Sequence, residues 1–549
     1  MKVALAQLNP VVGDVAGNTA KIADAIARAA EQGADLVVFG ELSVVGYPPR
    51  DLVRKERLVA ESVAAVESLA RQCTGVAALV GFVRPTRGDA GLPLQNAAAL
   101  LAAGQIRQVH VKSLLPSYDV FDETRYFQPG SRAECFLLGG RRVGLTICED
   151  LWDAQALGRK LYGLDPIGLL MERRADLIVN MSASPFEMGK AARREDLLAR
   201  QAARAQAAIV YVNQVGGNDE LIFDGSSCVV SPAGAVLGRA AAFAEDFLVV
   251  DLDANAGRCE PPGQQMQRLS KALKLGLRDY LSKCGFDSAV LGLSGGIDSA
   301  VVATLAADAL GPQNVYALGM PSRYSSDHSL SDSQALARNL GIHFEVIPIE
   351  PIHKAYEDAL GGRLAGGQRE IAEENIQARI RGNVIMAISN AFGLLPLATG
   401  NKSELSTGYC TLYGDMCGGF APIGDVLKTV VYRLAEQLNA EADFQRIPTS
   451  ILTKAPSAEL KPNQFDQDKL PPYDLLDQIL ARYIEQDRTG EQIVAEGFDP
   501  NVVGRVLRMV DAAEYKRRQA APVLKVTAKA FGSGRRVPIA QRFVPMRGQ

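Results

Sequence analysis

Three reactive side chains in the first half of the chain each follow a short apolar run. They are Glu41, Lys112 and Cys148. Such runs predict strands, and strands of one sheet would place all three side chains at one edge of it. Amide hydrolysis through a thioester needs these groups: a cysteine nucleophile, a carboxylate that moves protons and a cation that stabilises an oxyanion. The spacing alone leaves core packing open, because that is the commoner use of a cysteine after a strand.

A glycine-rich loop in the second half suggests different chemistry. It reads Gly292-Leu293-Ser294-Gly295-Gly296-Ile297-Asp298-Ser299 and lies between an apolar run and an alanine-rich stretch. Such a turn exposes backbone N–H groups at a helix N-terminus, where phosphate binds. The spacing is neither that of a Walker A loop nor that of the G-x-G-x-x-G fingerprint. A carboxylate at Asp298 beside phosphates calls for a bridging Mg²⁺. The alternative is a tight turn that binds no ligand.

The elements that must position the first three residues lie in residues 1–253, a predicted α/β layer domain rich in sheet. Its predicted strands are 3–8, 36–39, 77–83, 108–111, 142–147, 177–180, 209–213, 227–231 and 247–253. Apolar residues at helical spacing predict helices at 19–32, 58–71 and 195–207. Residues 254–268 are rich in proline and glycine and predict a linker.

The glycine loop belongs to a second predicted α/β domain, residues 269–549. Its predicted elements are strands 289–293, 315–319 and 344–348 and helices 299–309 and 330–339. A βαβαβ series predicts a parallel sheet that binds ligands at the carboxyl ends of its strands. Mobile loops are predicted at 361–368, 414–424 and 454–474.

The composition is that of a globular protein with two to four domains in 549 residues. Apolar residues make up 47% and charged residues 22%, and no apolar run is long enough to cross a membrane. The net charge of −3 argues against a nucleic-acid partner. Eight cysteines without a C-x-x-C pair and four histidines without H-x-x-x-H predict reduced thiols and no His-built zinc site. The first residues are too soon polar for a signal peptide, so a cytoplasmic location is expected.

The loop at 294–299 resembles that of the ATP pyrophosphatase family, whose members adenylate a carboxyl or carbonyl oxygen and release pyrophosphate. Three later segments are similar to those of NAD synthetases: E-N-I-Q-A-R-I-R at 374–381, L-A-T-G-N-K-S-E at 397–404 and T-G-Y-C-T-L-Y-G-D at 407–415. The resemblance implies a parallel-sheet fold like that of the adenine-nucleotide α-hydrolases, with ATP as a substrate and Mg²⁺.

This resemblance also implies roles for single residues. Gly292, Leu293, Ser294, Gly295, Gly296, Ile297, Asp298, Ser299, Thr399 and Lys428 would bind ATP. Asn375, Arg379, Glu404, Asp415 and Lys516 would bind deamido-NAD, which is nicotinic acid adenine dinucleotide. Asp298 and Glu404 would bind Mg²⁺. Taken alone, lysines such as Lys428 and Lys516 are more often solvated surface residues, and only the ordered run of motifs favours binding.

The chain departs from single-domain NAD synthetases at three places. Leu412 stands where those relatives have a lysine, and Gly418-Gly419 where they have an acidic residue. Pro456-Ser457-Ala458-Glu459-Leu460 replaces their P-T-A-D-L. The Ser457 hydroxyl can donate a hydrogen bond as a threonine would.

The flanks of the first three residues resemble the glutamine-hydrolysing branch of the nitrilase superfamily. They read F-G-E-L at 39–42, K-S-L-L-P at 112–116 and I-C-E-D at 147–150. The resemblance implies an αββα sandwich, a Glu41–Lys112–Cys148 triad, and a glutamine pocket lined by Tyr118, Ser184 and Lys190. Ser182 competes with Ser184 for that role, and Trp152 is expected to pack in the core.

The two halves together resemble the glutamine-dependent NAD synthetases, over nearly the whole chain. That family implies ATP-dependent amidation of deamido-NAD to NAD⁺ through an adenylate, with ammonia from glutamine and release of AMP and pyrophosphate. The protein would bind these small molecules and neither nucleic acid nor membrane. It would form a homo-oligomer. Two rival functions remain open: an amidase whose second domain only senses nucleotide, and a tRNA-modifying member of the ATP pyrophosphatase family.

Overall fold

The chain folds into two units, Met1–Gly263 and Gln264–Gln549, in the computed structural model. The structure describes residues 1–86, 91–361, 363, 369–462 and 464–546. The boundary between the units lies inside the stretch 254–268, and no described helix has the length and apolar character needed to span a bilayer.

Unit 1 contains two six-stranded sheets and a two-stranded ribbon. Its strands are β1 (Lys2–Gln7), β2 (Leu36–Val38), β3 (Ala77–Pro85), β4 (Leu94–Ala102), β5 (Gln105–Val111), β6 (Cys135–Leu138), β7 (Arg141–Ile147), β8 (Leu177–Ser182), β9 (Ala208–Asn213), β10 (Val215–Asn218), β11 (Leu221–Asp224), β12 (Cys228–Val230), β13 (Val236–Arg239) and β14 (Asp246–Asp251). The first sheet has the order β14-β1-β2-β3-β4-β5, the second β13-β12-β9-β8-β7-β6, and β10 pairs with β11.

Helices cover the outer faces of both sheets. They are α1 (Val15–Glu31), α2 (Glu56–Gln72), α3 (Pro166–Glu172) and α4 (Lys190–Ala205). Residues of both sheets share one core, in which Leu5 and Leu79 pack in the same cluster as Leu145 and Val179. Separate cores join the first sheet to α1 and α2 and the second sheet to α3 and α4. Unit 1 is therefore an αββα sandwich, which confirms the predicted fold.

The prediction that strands of one sheet carry Glu41, Lys112 and Cys148 is wrong. Strands β2 and β5, which precede Glu41 and Lys112, belong to the first sheet, whereas β7, which precedes Cys148, belongs to the second. Packing of the two sheets face to face, and not the edge of one sheet, brings the residues together. The sequence also did not predict β4, because its alanines and leucines lack the β-branched residues typical of strands. Its place between β3 and β5 overrides that weak propensity.

Unit 2 has a parallel sheet of four strands in the order β17-β16-β15-β18. The strands are β15 (Ala289–Gly292), β16 (Val315–Gly319), β17 (His343–Val346) and β18 (Leu395–Leu397). The helices are α5 (Gln265–Cys284), α6 (Ile297–Leu310), α7 (Asp327–Leu340), α8 (Glu350–Leu360), α9 (Arg369–Phe392), α10 (Lys402–Thr407), α11 (Lys428–Ala440), α12 (Thr449–Thr453), α13 (Tyr473–Leu480), α14 (Gly490–Ala495), α15 (Pro500–Ala512) and α16 (Glu514–Arg517). The predicted parallel sheet is confirmed, and β18 adds a strand that the sequence did not predict.

The predicted loops of unit 2 have different outcomes. Residues 414–424 form neither helix nor strand, whereas 454–474 contains a 3₁₀ turn at Asp466–Asp468 and the start of α13. The prediction for 454–474 was therefore partly wrong. Most of the loop predicted at 361–368 lies outside the described residues.

Candidate active sites

Glu41 and Lys112 form a buried ion pair in unit 1. Lys112 Nζ lies 2.7 Å from Glu41 Oε1, and the two residues are 0% and 1% exposed, respectively. Asn96 Nδ2 donates to the same oxygen at 2.6 Å, and the backbone N–H of Ala183 donates to Glu41 Oε2. The carboxylate of Glu41 is thus held in one orientation by three neighbours.

Cys148 is buried beside this pair and starts a 3₁₀ turn, Cys148–Leu151, directly after β7. Burial, followed by the charge of Glu41, raises the pKa of the Cys148 thiol well above its ordinary value, and the cation of Lys112 offsets this only in part. The resting group is therefore a thiol, which needs a base before it can attack. Glu41 is the predicted base.

A second glutamate that the sequence analysis did not assign completes this cluster. Glu123 Oε1 lies 2.8 Å from Lys112 Nζ and accepts a hydrogen bond from the Tyr47 hydroxyl at 2.8 Å. Burial would lower the pKa of Lys112, but Glu123 and Glu41 raise it well above its ordinary value, so Lys112 stays an ammonium. The only sequence signal was the position of Glu123 in the segment F-D-E at 121–123, shortly after Tyr118.

Replacing Glu123 with glutamine is expected to flatten the pH dependence of stability. Burial raises the pKa of Glu123 from 4.5 to about 7, so the folded chain keeps a proton that the unfolded chain loses. Stability from this group therefore falls as the pH rises from about 4.5 to about 7, by on the order of 3 kcal/mol. Thermal unfolding at pH 5 and pH 7.5 measures the slope, with Glu61→Gln as an exposed control. Equal slopes in wild type and Glu123→Gln would contradict the assignment.

The predicted glutamine pocket surrounds a carboxylate that the sequence analysis quoted but did not assign, Glu149. The hydroxyl of Tyr118 donates to Glu149 Oε1 at 2.9 Å, and the Tyr162 hydroxyl donates to the same oxygen at 3.0 Å. Glu149 is 3% exposed, and burial raises its pKa while both tyrosines and nearby cations oppose the rise. Its position next to Cys148 in the chain was the available signal.

Of the other predicted pocket residues, Ser184 lies two positions after the end of β8 and Lys190 starts α4, whereas the alternative Ser182 is the last residue of β8. Ser182 Oγ donates to Asn180 Oδ1, and Asn180 Nδ2 donates to the carbonyl of Cys148, so Ser182 supports the backbone of Cys148. This favours Ser184 over Ser182 as the pocket residue. Lys190 Nζ donates to the Pro185 carbonyl and lies 5.5 Å from the Trp152 ring centre, and Trp152 packs at the edge of a core cluster.

In unit 2 the glycine loop joins β15 to α6, as the sequence predicted. Gly295 has φ +75°, and a Cβ there would lie 2.5 Å from the Ser329 carbonyl oxygen, so only glycine fits. The hydroxyls of Ser294 and Ser299 lie 3.2 Å apart at the helix N-terminus. Backbone N–H groups and two hydroxyls therefore converge where an anion would bind.

Two acidic residues predicted to bind Mg²⁺ meet at this loop. Asp298 Oδ1 accepts from Asn401 Nδ2 at 3.0 Å, and Lys428 Nζ contacts Asp298 Oδ2 and lies 3.6 Å from Glu404 Oε1. The Lys428 ammonium thus supplies a positive charge beside both carboxylates. Thr399 follows β18 at the same carboxyl end of the sheet.

The donor set at Asp298 and Glu404 fits Mg²⁺. No group of three or more metal-ligating side chains occurs in the described part of the chain. Mg²⁺ needs only one or two carboxylates when water and phosphate oxygens supply its other ligands. Burial, followed by the Asp298 charge, raises the pKa of Glu404 to about 8. The same two carboxylates hold the pKa of Lys428 above its ordinary value although burial would lower it.

The residues predicted for deamido-NAD gather around the segment 408–415. Asn375 Oδ1 accepts from the Thr411 hydroxyl at 2.9 Å, and Asp415 Oδ1 accepts from the Thr411 backbone N–H at 2.6 Å. Arg379 Nε donates to the Leu412 carbonyl, and Lys516 Nζ donates to the carbonyls of Gly408 and Cys410. Glu404 and Asp415 line one pocket with Gly400 and Cys410.

The structure gives a steric reason for one of the departures from the single-domain pattern, at Gly418-Gly419. A Cβ at Gly418 would lie 2.7 Å from the Ala398 backbone nitrogen, and one at Gly419 would lie 2.8 Å from Leu395 Cδ1. An acidic side chain has no room at Gly418, because the close neighbour there is backbone, whereas at Gly419 the Leu395 side chain would have to move. The Ser457 hydroxyl donates to the Gln464 carbonyl, so it forms a hydrogen bond within its own loop.

Comparisons with known proteins cover both units. The family model for NAD synthase matches residues 269–520, and that for carbon-nitrogen hydrolase matches residues 2–259. A glutamine-dependent NAD(+) synthetase from Synechocystis sp. is 49% identical over 99% of both chains, and one from Thermotoga maritima is 42% identical over 99% of both. The solved glutamine-dependent NAD+ synthetase of Acinetobacter baumannii, in complex with adenosine diphosphate, is 39% identical with a TM-score of 0.78 over 98% of both chains.

Proposed function

Since the chain belongs to the glutamine-dependent NAD(+) synthetases, we propose that unit 1 releases ammonia from glutamine and unit 2 uses it to amidate deamido-NAD. The reaction consumes ATP and yields NAD⁺, AMP, pyrophosphate and glutamate. The observation that carries the proposal is the coexistence of two sites in one chain: a buried Glu–Lys–Cys cluster and an anion-binding loop with two facing acidic residues.

In unit 1 Glu41 takes the proton of the Cys148 thiol as its sulfur attacks the glutamine amide carbon. Lys112, held as an ammonium by Glu41 and Glu123, stabilises the tetrahedral oxyanion. The proton returns from Glu41 to the amide nitrogen, and ammonia leaves. Water then hydrolyses the glutamyl thioester, with Glu41 as the base, and regenerates the thiol.

In unit 2 the nicotinate carboxylate of deamido-NAD attacks the α-phosphorus of ATP, and pyrophosphate leaves. Ammonia then attacks the carboxyl carbon of the adenylate and displaces AMP. The loop 292–299 would hold the phosphates, and Asn375, Arg379, Asp415 and Lys516 would hold deamido-NAD. Asp298 and Glu404 would hold Mg²⁺, which when bound supplies positive charge beside the phosphates. Because Lys428 already contacts Asp298 and lies near Glu404, it adds a cation to the same place.

The test is to incubate the pure protein with ATP, MgCl₂ and deamido-NAD, with glutamine or ammonium supplied in parallel. Mass spectrometry follows NAD⁺, AMP and glutamate. NAD⁺ with AMP from both nitrogen sources is the expected result. Glutamate without NAD⁺ would support the rival amidase, and failure of both nitrogen sources would overturn the proposal.

Replacing Tyr118 with phenylalanine is expected to raise KM for glutamine about tenfold with little change in kcat. The lost hydroxyl is one of two that hold the Glu149 carboxylate in the predicted pocket, and a hydrogen bond to a charged group contributes roughly 1.5–3 kcal/mol. Steady-state glutaminase kinetics measure both constants. Tyr126→Phe is the matched control, because its hydroxyl donates to the carboxylate of Asp51 on the surface. An unchanged KM in Tyr118→Phe would remove Tyr118 from the pocket.

The predictions of location, oligomeric state and partners rest on the family and the sequence. A cytoplasmic location and a homo-oligomeric state stay predictions, as does the absence of nucleic-acid and membrane partners. Small-molecule substrates follow from the family itself.

A further inference from the structure

One buried carboxylate in unit 1 contacts the backbone on both sides of the proposed triad. Asp150 is 1% exposed. Its Oδ1 accepts hydrogen bonds from the backbone N–H groups of Ser113 at 3.0 Å and Leu114 at 2.8 Å. Its Oδ2 accepts from the backbone N–H of Ile147 at 3.0 Å and lies 3.8 Å from His110 Nε2.

These contacts join two strands that belong to different sheets. Ser113 follows Lys112 at the end of β5 in the first sheet, and Ile147 precedes Cys148 at the end of β7 in the second. Backbone pairing within a sheet cannot fix the distance between residues of facing sheets. A carboxylate bonded to both backbones can, because each of its oxygens serves one strand.

We propose that Asp150 is a positioning residue that sets the Cys148 thiol against the Lys112 ammonium. This inference rests on the proposed glutaminase function of unit 1. Asp150 does not reach substrate in the proposal; it acts through the backbone of the two reacting residues. Reactive groups need such alignment, since a misplacement of about 1 Å can cost on the order of 10²-fold in rate.

Asp150 also affects the backbone conformation of Cys148. Cys148 has φ +45°, in the left-handed region that disfavours a residue with a Cβ. The hydrogen bond from Ile147 N–H to Asp150 closes the turn around this residue. Asp150 therefore stabilises the strained turn that contains Cys148.

An asparagine at position 150 has nearly the same shape but cannot replace the carboxylate. Three N–H donors converge on the two oxygens of Asp150. The amide of asparagine offers one oxygen and one NH₂ group, so at least one backbone N–H would face another donor. Asp150→Asn thus breaks at least one of these backbone hydrogen bonds without leaving a cavity.

The first experiment measures glutamine hydrolysis and Cys148 alkylation by iodoacetamide in wild type and Asp150→Asn. We expect kcat for hydrolysis to fall about 10²-fold with KM for glutamine within about threefold of wild type, and the pH profile of alkylation to shift. Asp246→Asn is the control, because Asp246, at the start of β14, also accepts from two backbone N–H groups, those of Ala241 and Phe247, and pairs in addition with Arg258. A kcat within twofold of wild type in Asp150→Asn would overturn the inference, whereas a wild type that does not hydrolyse glutamine would overturn the function instead.

A double-mutant cycle keeps the proposal testable if Asp150→Asn folds poorly. Glycine adopts φ +45° without strain, so Cys148→Gly relieves the turn that Asp150 stabilises. The loss of Tm caused by Asp150→Asn should be smaller in the Cys148→Gly background than with Cys148 present. An equal loss in both backgrounds would mean that Asp150 does not act on the nucleophile turn.

Discussion

Replacing Cys148 with alanine should abolish NAD⁺ formation from glutamine, by at least about 10⁴-fold, and leave formation from ammonium intact. The reason is that the thioester has no other nucleophile to form on, while unit 2 receives its nitrogen directly from solution. Cys148 is 5% exposed beside the Glu41–Lys112 pair, so alanine removes the sulfur and leaves the pair in place. Parallel assays with the two nitrogen sources measure the ratio.

The matched control for Cys148→Ala is Cys228→Ala. Cys228 is also a buried cysteine of unit 1, on β12, and burial raises its pKa to about 12. Its replacement should lower Tm through lost packing but leave glutamine use within about threefold of wild type. Glutamine-driven synthesis at the wild-type rate in Cys148→Ala would show that the triad assignment is wrong.

The reactive residues could be predicted from the sequence, but the position in the fold where they come together could not. Glu41, Lys112 and Cys148 stood out because each follows a short apolar run, and such runs are local signals. Which strands share a sheet is decided by packing between distant segments. The sequence suggested one sheet edge, and the structure instead brings the residues together across the interface of two sheets.

Residues that support the triad were harder to find because spacing carries no signal for them. Glu123 lies only eleven positions after Lys112, yet nothing in that interval predicts that the chain folds back to bring it within 2.8 Å of the ammonium. Glu149 and Asp150 follow Cys148 in the sequence. Their distant partners, two tyrosine hydroxyls for Glu149 and the backbone N–H groups of Ser113 and Leu114 for Asp150, depend on the fold.

In unit 2, too, the sequence predicted local structure but not contacts between distant residues. The glycine loop predicted the turn and the helix that follows it, because the preferences of glycine for turns and of alanine for helices depend only on neighbouring residues. Asn401 lies in a quoted motif but received no role, although it caps α10 through Glu404 and also binds Asp298. One amide thus links both acidic residues that the proposal gives to Mg²⁺.

Replacing Asp298 with alanine should abolish NAD⁺ formation from both glutamine and ammonium, by at least about 10³-fold. The variant loses one of the two carboxylates proposed for Mg²⁺ and the acceptor of Asn401. It also leaves the Lys428 ammonium, which is 3% exposed, without its closest acidic partner, because Glu404 lies farther away at 3.6 Å. A buried cation that loses its partner is strongly destabilising, so this part of unit 2 should lose order as well as activity. AMP and NAD⁺ release with each nitrogen source measure the effect.

Asp308→Ala separates this loss from a general loss of acidic residues on α6. Asp308 lies near the other end of that helix, where it pairs with Arg446 and Lys274, each at 2.7 Å. We expect it to lower Tm but to keep NAD⁺ formation within about threefold of wild type. Alkylation of Cys148 at the wild-type rate in Asp298→Ala would show that unit 1 remains folded. Ammonium-driven synthesis that survived in Asp298→Ala would place the ATP and metal chemistry of unit 2 elsewhere, because no step of the proposed adenylation is independent of this loop.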